Sequence, residues 1–306
     1  MRVVFAGTPD AAVPSLRLLA ASTHDIVGVI TRRDAPLGRK RVLTPSPIAR
    51  AAEELGLPVI KTDRLDAEAT SRIAALKPDL GVIVAYGGLV REPLLSTPGR
   101  GWINLHFSLL PRWRGAAPVQ HALIAGDEVV GAAVFQLVPE LDAGDVFAVL
   151  EHRPVGGETA GDVLDDLAHR GAYLLEDVVD QLAAGTAVAT PQEGSATFAP
   201  KLTLDDGRIR WNEPAHDVLN RVRGVTPEPG AHAELDGARV KILAARAAST
   251  ARELAPGEVE LVGKEVLAGT ADEPIALVTV QPAGRGSMAA ADWWRGLRGI
   301  GPVVLR

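Results

Sequence analysis

Residues 80–106 have the sequence LGVIVAYGGLVREPLLSTPGRGWINLH, which contains two nearly continuous apolar segments at 80–85 and 102–106. Two more segments of the same kind lie at 3–6 and 26–30. Apolar strands that alternate with helical patterns are typical of a parallel sheet covered by helices on both faces. We therefore predict a doubly wound, mostly parallel α/β domain, in which ligands bind beyond the carboxyl ends of the strands.

The second half of the chain has a different pattern. After residue 205, short strand candidates are separated by turn residues, with one helical pattern at 215–223. Many short strands at regular spacing favour a small β-barrel. The residues between the two patterns, at 187–204, are rich in Ala, Thr and Pro, which is typical of a linker. The predicted organisation is one domain at 1–186, a linker at 187–204 and a second domain at 205–306.

The composition excludes several classes of protein. The chain has 306 residues, of which 47% are hydrophobic and 23% charged, as in ordinary globular domains. The absence of cysteine excludes disulfides, thiolate metal sites and cysteine nucleophiles. The first apolar run is too short for a signal peptide, and no run reaches the roughly 18 residues of a membrane helix. We expect a soluble cytoplasmic protein that does not contact membranes.

A local basic region stands out against the net charge of −6. Residues 32–50 contain six cations and one acid, Asp34. Arg39, Lys40 and Arg41 are consecutive and are flanked by prolines, as in a loop that reaches nucleic-acid phosphates. The alternative is an ordinary solvated surface.

Asn104 and His106 are the first candidates for chemistry. They are two residues apart at the end of a predicted strand, so alternation places both side chains on one face. An asparagine amide can donate to a developing oxyanion, and an imidazole can move a proton near neutral pH. This pair is suited to carbonyl chemistry. The alternative is that both side chains only satisfy backbone groups in a loop.

Asp142 is the third candidate. It lies in the segment LDAGD at 141–145, which we predict to be a turn between two strands. A carboxylate near His106 would orient the imidazole and raise its basicity. The alternative is a plain Asx turn, with Gly144 at positive φ.

Other common sites are not supported. The turn after the first strand has one glycine and a proline, so it lacks the dinucleotide fingerprint, and no phosphate-binding loop or GxSxG elbow occurs. The histidines do not have metal-ligand spacing, and we expect no metal site.

Several segments together resemble one family. NLHFSLLPRWRGAAPVQ at 104–120 and LDAGDV at 141–146 are similar to the active-site motifs of folate-dependent formyltransferases. Three more stretches resemble the members of this family that act on methionyl-tRNA, namely FAGTPDAAVPSL at 5–16, GRKRVLTPSP at 38–47 and QPAGRGSMAAADWWRG at 281–296.

The resemblance implies a Rossmann-like catalytic domain followed by a linker and an OB-like barrel that helps to hold tRNA. It implies formyl transfer from 10-formyltetrahydrofolate, without a metal, to the α-amine of initiator methionyl-tRNA for translation initiation, by a monomer. The catalytic residues would be Asn104, His106 and Asp142. Asn104 and His106 would stabilise the oxyanion, while Asp142 would set the state of the imidazole and relay a proton. The resemblance also assigns tetrahydrofolate binding to Ser108, Leu109, Leu110 and Pro111, and tRNA binding to Arg39, Lys40 and Arg41.

Three alternatives stay open at this point. A sugar-nucleotide or amino-sugar formyltransferase would use the same three polar residues and the same donor. A non-catalytic RNA-binding protein would be expected to lack one of those residues, and all three are present. A nicotinamide-dependent dehydrogenase is disfavoured by the missing glycine fingerprint.

Overall fold

A computed structural model describes residues 1–38, 40–297 and 303–306 of the chain. These residues form two compact units. The first comprises Met1–Pro118, Val130–His152 and Leu164–Ala199. The second comprises Val119–Val129, Arg153–Val163 and Pro200–Arg306.

The elements up to Ala199 include both strands and helices. The strands are β1 (Arg2–Gly7), β2 (Asp25–Thr31), β3 (Ala35–Leu37), β4 (Val42–Thr44), β5 (Val59–Lys61), β6 (Leu80–Val84), β7 (Trp102–His106), β8 (Arg114–Gly115), β9 (Val130–Gln136), β10 (Val146–His152) and β11 (Phe198–Ala199). The helices are α1 (Val13–Ala21), α2 (Pro47–Glu54), α3 (Ala67–Ala75), α4 (Pro118–Ile124) and α5 (Ala160–Ala184).

The first unit is built on a seven-stranded sheet with the order β10-β9-β7-β6-β1-β2-β5. The five neighbouring strands β7, β6, β1, β2 and β5 are parallel to one another. Strand β9 is antiparallel to β7, and β10 is antiparallel to β9. The predicted mostly parallel sheet is confirmed. The chain runs outward from β1 in one direction through β2 and in the other through β6. Such a switch in strand order opens a crevice at the carboxyl ends of the strands.

Packing between β6 and β7 sets the position of the strand that carries the candidate site. Gly81 pairs with Trp102 across these strands, and a Cβ atom at Gly81 would lie 2.1 Å from the indole ring. Trp102 is fully buried, and its Nε1 donates to the carbonyl of Leu94 at 2.9 Å. The indole therefore anchors β7 two residues before Asn104.

The second unit contains an antiparallel sheet. Its strands are β12 (His232–Leu235), β13 (Ala238–Ala247), β14 (Glu258–Val262), β15 (Glu265–Ala268), β16 (Ile275–Pro282), β17 (Met288–Ala289) and β18 (Val303–Val304), and its further helices are α6 (Ala215–Gly224) and α7 (Ala290–Gly296). The order is β12-β13-β16-β15-β14-β18, with β17 paired to β16. Buried side chains of α6 and α7, such as Val218 and Trp293, share one core with the sheet residues Ile242 and Val280. The prediction that a second domain of short strands follows the mostly parallel α/β domain is confirmed, and these strands form an antiparallel sheet.

Two short helical turns, Asp10–Ala12 and Asp205–Gly207, complete the elements. None of the helices in the described ranges is both long enough and apolar enough to span a membrane.

Candidate active site

Asn104 and His106 lie at the carboxyl end of β7, at the sheet edge where α/β ligands bind. Their register partners on β9 are Phe135 and Ala133, which are also two residues apart, so the two side chains share one face as predicted. Asn104 is half-buried, and its buried Oδ1 has no hydrogen-bond partner in the part of the chain that the structure describes. Oδ1 therefore does not accept a hydrogen bond from a loop backbone, as the alternative interpretation of Asn104 would require.

His106 is 6% exposed and is held on both sides. Its Nε2 lies 3.0 Å from the carbonyl of Trp113, and its ring packs edge-on against Phe135 with centroids 6.2 Å apart. Since a carbonyl only accepts, Nε2 carries the hydrogen. In the neutral imidazole the lone pair is therefore on Nδ1, which lies 3.9 Å from Oδ2 of Asp142.

Burial lowers the pKa of the His106 imidazole below its usual value. The carboxylate of Asp142 and the carbonyl of Trp113 act in the opposite direction and offset that shift only in part. His106 is thus mainly neutral at pH 7, with Nδ1 ready to accept a proton. The N–H of the neutral imidazole is committed to the Trp113 carbonyl, so His106 is suited to proton transfer at Nδ1 and less to the oxyanion-stabilising role that the family resemblance implies.

Asp142 lies in the turn between β9 and β10 and is 9% exposed. Its Oδ2 accepts a hydrogen bond of 2.8 Å from the backbone N–H of Gly115. The backbone of Asp142 has φ 47°, in the left-handed region that few residues other than glycine adopt. The structure thus brings Asp142 to His106, across 36 residues of sequence.

Gly144 does not have the positive φ of the predicted Asx turn; that conformation belongs to Asp142. Glycine is needed at 144 for another reason. A Cβ atom there would lie 1.7 Å from the backbone oxygen of Gln136, so the turn closes directly against β9.

The segment assigned to tetrahydrofolate follows β7. Ser108 is buried, and its hydroxyl donates to the carbonyl of Arg112 at 2.6 Å. Leu109 lies over the sheet, where a Cβ on Gly131 would come within 2.6 Å of its Cδ2. Leu110 is half-buried and Pro111 is buried, joined by a cis peptide bond. Ser108 and Pro111 are thus buried within the protein, whereas Leu109 and Leu110 are partly exposed.

The basic segment contains a short hairpin, in which β3 and β4 pair as antiparallel strands. Arg39 lies outside the described residues. Lys40 and Arg41 are exposed near its tip, where the Arg41 N–H donates to the carbonyl of Gly38 at 3.1 Å. The hairpin also exposes Leu37, Val42 and Leu43.

Sequence reasoning missed one part of the site. Residues 190–199, which we call the bridging segment, fall within the predicted linker but pair with both segments that carry site residues. Gln192 contacts the Asp142 turn and Arg114 directly. These contacts join residues 48–78 positions apart, so no local pattern signals them. Within the described ranges, no cluster of three or more His, Asp or Glu residues is placed to hold a metal.

Comparison with known proteins assigns the family. The model of the formyl transferase family matches residues 1–179, and that of the formyl transferase C-terminal domain matches residues 201–298. The chain belongs to the formyl transferase family. The methionyl-tRNA formyltransferases of Leifsonia xyli and Clavibacter sepedonicus are 65% and 62% identical to this formyl transferase over 299 and 298 residues. The alignments cover 98% of both chains for the first and 97% for the second.

Solved structures share the fold of this formyl transferase at low sequence identity. The Helicobacter canadensis N-formyltransferase, in complex with folinic acid and dTDP-3-aminofucose, has a TM-score of 0.69 at 16% identity, covering 92% of this chain and 98% of its own. The methionyl-tRNA formyltransferase from Clostridium thermocellum has a TM-score of 0.58 at 13% identity, covering 94% and 100%.

Proposed function

We propose that this protein transfers the formyl group of 10-formyltetrahydrofolate to the α-amine of initiator methionyl-tRNA, for translation initiation in the cytoplasm. The chemistry rests on one observation: the imidazole of His106, on the strand that carries Asn104, and the carboxylate of Asp142 come within 3.9 Å of each other. The acceptor rests on the near full-length similarity to two methionyl-tRNA formyltransferases.

The acceptor amine does not need a strong base. An α-amine has a pKa of about 7.7–8.0, so roughly a sixth or less is already neutral at pH 7. As the amine attacks the formyl carbon, it becomes more acidic, and Nδ1 of His106 accepts its proton. The carboxylate of Asp142 stabilises the resulting imidazolium. The same proton then passes to the nitrogen that leaves the formyl carbon, which restores the neutral imidazole.

Negative charge develops on the formyl oxygen while the new bond forms. The amide of Asn104 donates an N–H to that oxygen and stabilises the charge. Oδ1 of Asn104 has no partner in the described structure, so the amide is not committed to another protein group through its oxygen. A half-turn of the asparagine amide exchanges the positions of its NH2 group and its oxygen, so the N–H can be presented where the oxygen now lies.

The folate donor is held along Ser108–Pro111, at the crevice beyond β7. The buried Ser108 hydroxyl, bonded to the Arg112 carbonyl, fixes the backbone of this segment. The folinic acid bound to the N-formyltransferase of Helicobacter canadensis and the tetrahydrofolic acid bound to HypX of Aquifex aeolicus support a folate on this fold.

The tRNA contacts the chain through the basic hairpin, with Arg39 making the main contribution beside Lys40 and Arg41. The exposure of Lys40 and Arg41 supports this role. In this proposal residues 1–186 are the catalytic domain and 205–306 an OB-like domain that holds tRNA, and the enzyme acts as a monomer. The linker at 187–204 includes the bridging segment, which is hydrogen-bonded to the catalytic domain.

The deciding assay follows labelled formyl from 10-formyltetrahydrofolate to charged initiator tRNA. Free methionine and an amino-sugar nucleotide are the control acceptors. We expect transfer to the tRNA and none to the controls. Transfer to the sugar nucleotide instead would replace the proposal with the sugar alternative, and no transfer to any acceptor would contradict it.

A further inference from the structure

The bridging segment, residues 190–199, is fastened to both stretches that carry site residues. Thr190 exchanges two backbone hydrogen bonds of 2.8 and 2.9 Å with Val146, just after the Asp142 turn. Its other end runs beside β8, where Thr197 accepts the Arg114 N–H at 2.8 Å and Ala199 accepts the Ala116 N–H at 2.8 Å. The segment therefore connects the strand that follows the Asp142 turn to β8 through backbone hydrogen bonds.

Gln192 lies between these two attachments, and both the nitrogen and the oxygen of its side-chain amide form hydrogen bonds. Its Nε2 donates to the carbonyls of Asp142 and Gly144, each at 2.8 Å. Its Oε1 accepts from Nε and Nη2 of Arg114, at 3.2 and 2.7 Å. Carbonyls only accept and a guanidinium only donates, so these partners fix which end of the amide is oxygen.

The turn that Gln192 contacts contains a residue in an uncommon backbone conformation. Asp142 has a left-handed backbone, which aspartate tolerates better than most residues but which still costs more than an ordinary conformation, so contacts with neighbouring residues stabilise it. A small rotation of this backbone would also move the carboxylate, whose Oδ2 is already 3.9 Å from Nδ1 of His106.

We propose that Gln192 is a positioning residue, which fixes the backbone of residues 142–144 so that the Asp142 carboxylate faces His106. Arg114 anchors the Gln192 amide; its side chain is 11% exposed and its Nη1 lies 3.7 Å from Glu140. This inference rests on the proposed function, because it assigns the contact a role in formyl transfer.

The test compares two substitutions of Gln192 in the full-length enzyme. Gln192→Ala removes every amide contact. Gln192→Glu has nearly the same shape and still accepts from Arg114, but places a carboxylate oxygen against two carbonyl oxygens. We expect kcat to fall about 10-fold or more in each, with KM for both substrates changed less than about threefold. Glu193→Gln, at the exposed neighbouring position, is the matched control and should behave as wild type.

The pH profile separates positioning from general stability. The Asp142 carboxylate raises the pKa of His106, so a displaced carboxylate lets that pKa fall. The acid limb of the kcat profile should therefore move to lower pH in Gln192→Ala, by about half a unit or more. A lower kcat with an unmoved limb would overturn the proposal, as would wild-type values of both.

Two arrangements keep the test decisive. If Gln192→Ala does not fold, Arg114→Lys replaces it in the test. This variant loses the contact of two guanidinium nitrogens with Oε1 but keeps the positive charge, and we again expect a lower kcat and an acid limb at lower pH. Wild-type enzyme is assayed in parallel with charged initiator tRNA. Absence of transfer by wild type counts against the proposed function, whereas normal transfer by the variants counts only against the role of Gln192.

Discussion

Nδ1 of His106 lies 3.9 Å from Oδ2 of Asp142, with both side chains about nine-tenths buried. The opposite ring nitrogen is held by the carbonyl of Trp113. The imidazole thus has one nitrogen committed to the protein and one that faces a carboxylate across a gap wider than a hydrogen bond. A proton taken up on Nδ1 would be stabilised there, and the predictions below test that arrangement.

Asp142→Asn tests the charge of the carboxylate. We expect kcat to fall by at least about 100-fold, because the carboxylate stabilises the imidazolium formed in a proton transfer that is worth roughly 10²–10⁴ in rate. The carboxylate raises the pKa of His106, so its loss should also shift the acid limb of the kcat profile to lower pH. Asp145→Asn, at an exposed position in the same turn, should leave both unchanged. A shift to higher pH would contradict this reading.

Asn104→Ala separates a catalytic role from a structural one. Loss of an oxyanion donor should lower kcat by about 10²–10³. The melting temperature should not fall, because the buried Oδ1 makes no hydrogen bond within the described residues and its removal leaves no group unpaired. Asn220→Ala offers a contrast, since its Oδ1 accepts from Arg223 at 2.7 Å. A lower melting temperature in Asn104→Ala with near-normal kcat would favour the structural role.

Gly144→Ala tests how closely the turn packs. The new methyl group would overlap the Gln136 backbone oxygen, which cannot give way as a side chain can. We expect destabilisation by about 1–3 kcal/mol in denaturant unfolding, together with a loss of kcat as the turn moves. Gly156→Ala is the control, because no atom lies within 4 Å of a Cβ at that position. Equal stability of the two variants would mean that the turn accommodates a side chain.

Arg39→Ala tests the basic hairpin. We expect KM for the charged tRNA to rise while KM for the folate donor stays constant. The slope of log affinity against log salt should become shallower by about one unit for each phosphate that the variant no longer neutralises. Arg72→Ala, on an exposed position of α3, controls for the loss of any surface cation. An unchanged slope in Arg39→Ala would assign this loop to ordinary surface.

The extent to which sequence anticipates this structure depends on how far apart the contacting residues are. The apolar runs at 80–85 and 102–106 indicate the buried sheet because burial on both faces is a local property of each strand. Alternation likewise places Asn104 and His106 on one face. The approach of Asp142 to His106 is a tertiary contact, and before the structure it followed only from the family resemblance.

The bridging segment could not be anticipated in the same way. Its side chains other than Phe198 are small or polar, and its order comes from backbone and amide hydrogen bonds to residues far away in sequence. Its composition predicted a linker because the sequence there is rich in Ala, Thr and Pro and contains few large apolar residues. Similarly, the left-handed residue of the turn is Asp142 and not the nearby glycine, because Gly144 is required by the close approach of Gln136.

The left-handed conformation at Asp142 limits the amino acids that this position can accept. Glycine, asparagine and aspartate tolerate that region of backbone space far better than other residues. Of these three only aspartate carries a negative charge, and glutamate, whose functional group is the same, is disfavoured both by the backbone conformation and by its longer side chain. A search for active variants at this position is therefore expected to return a single amino acid.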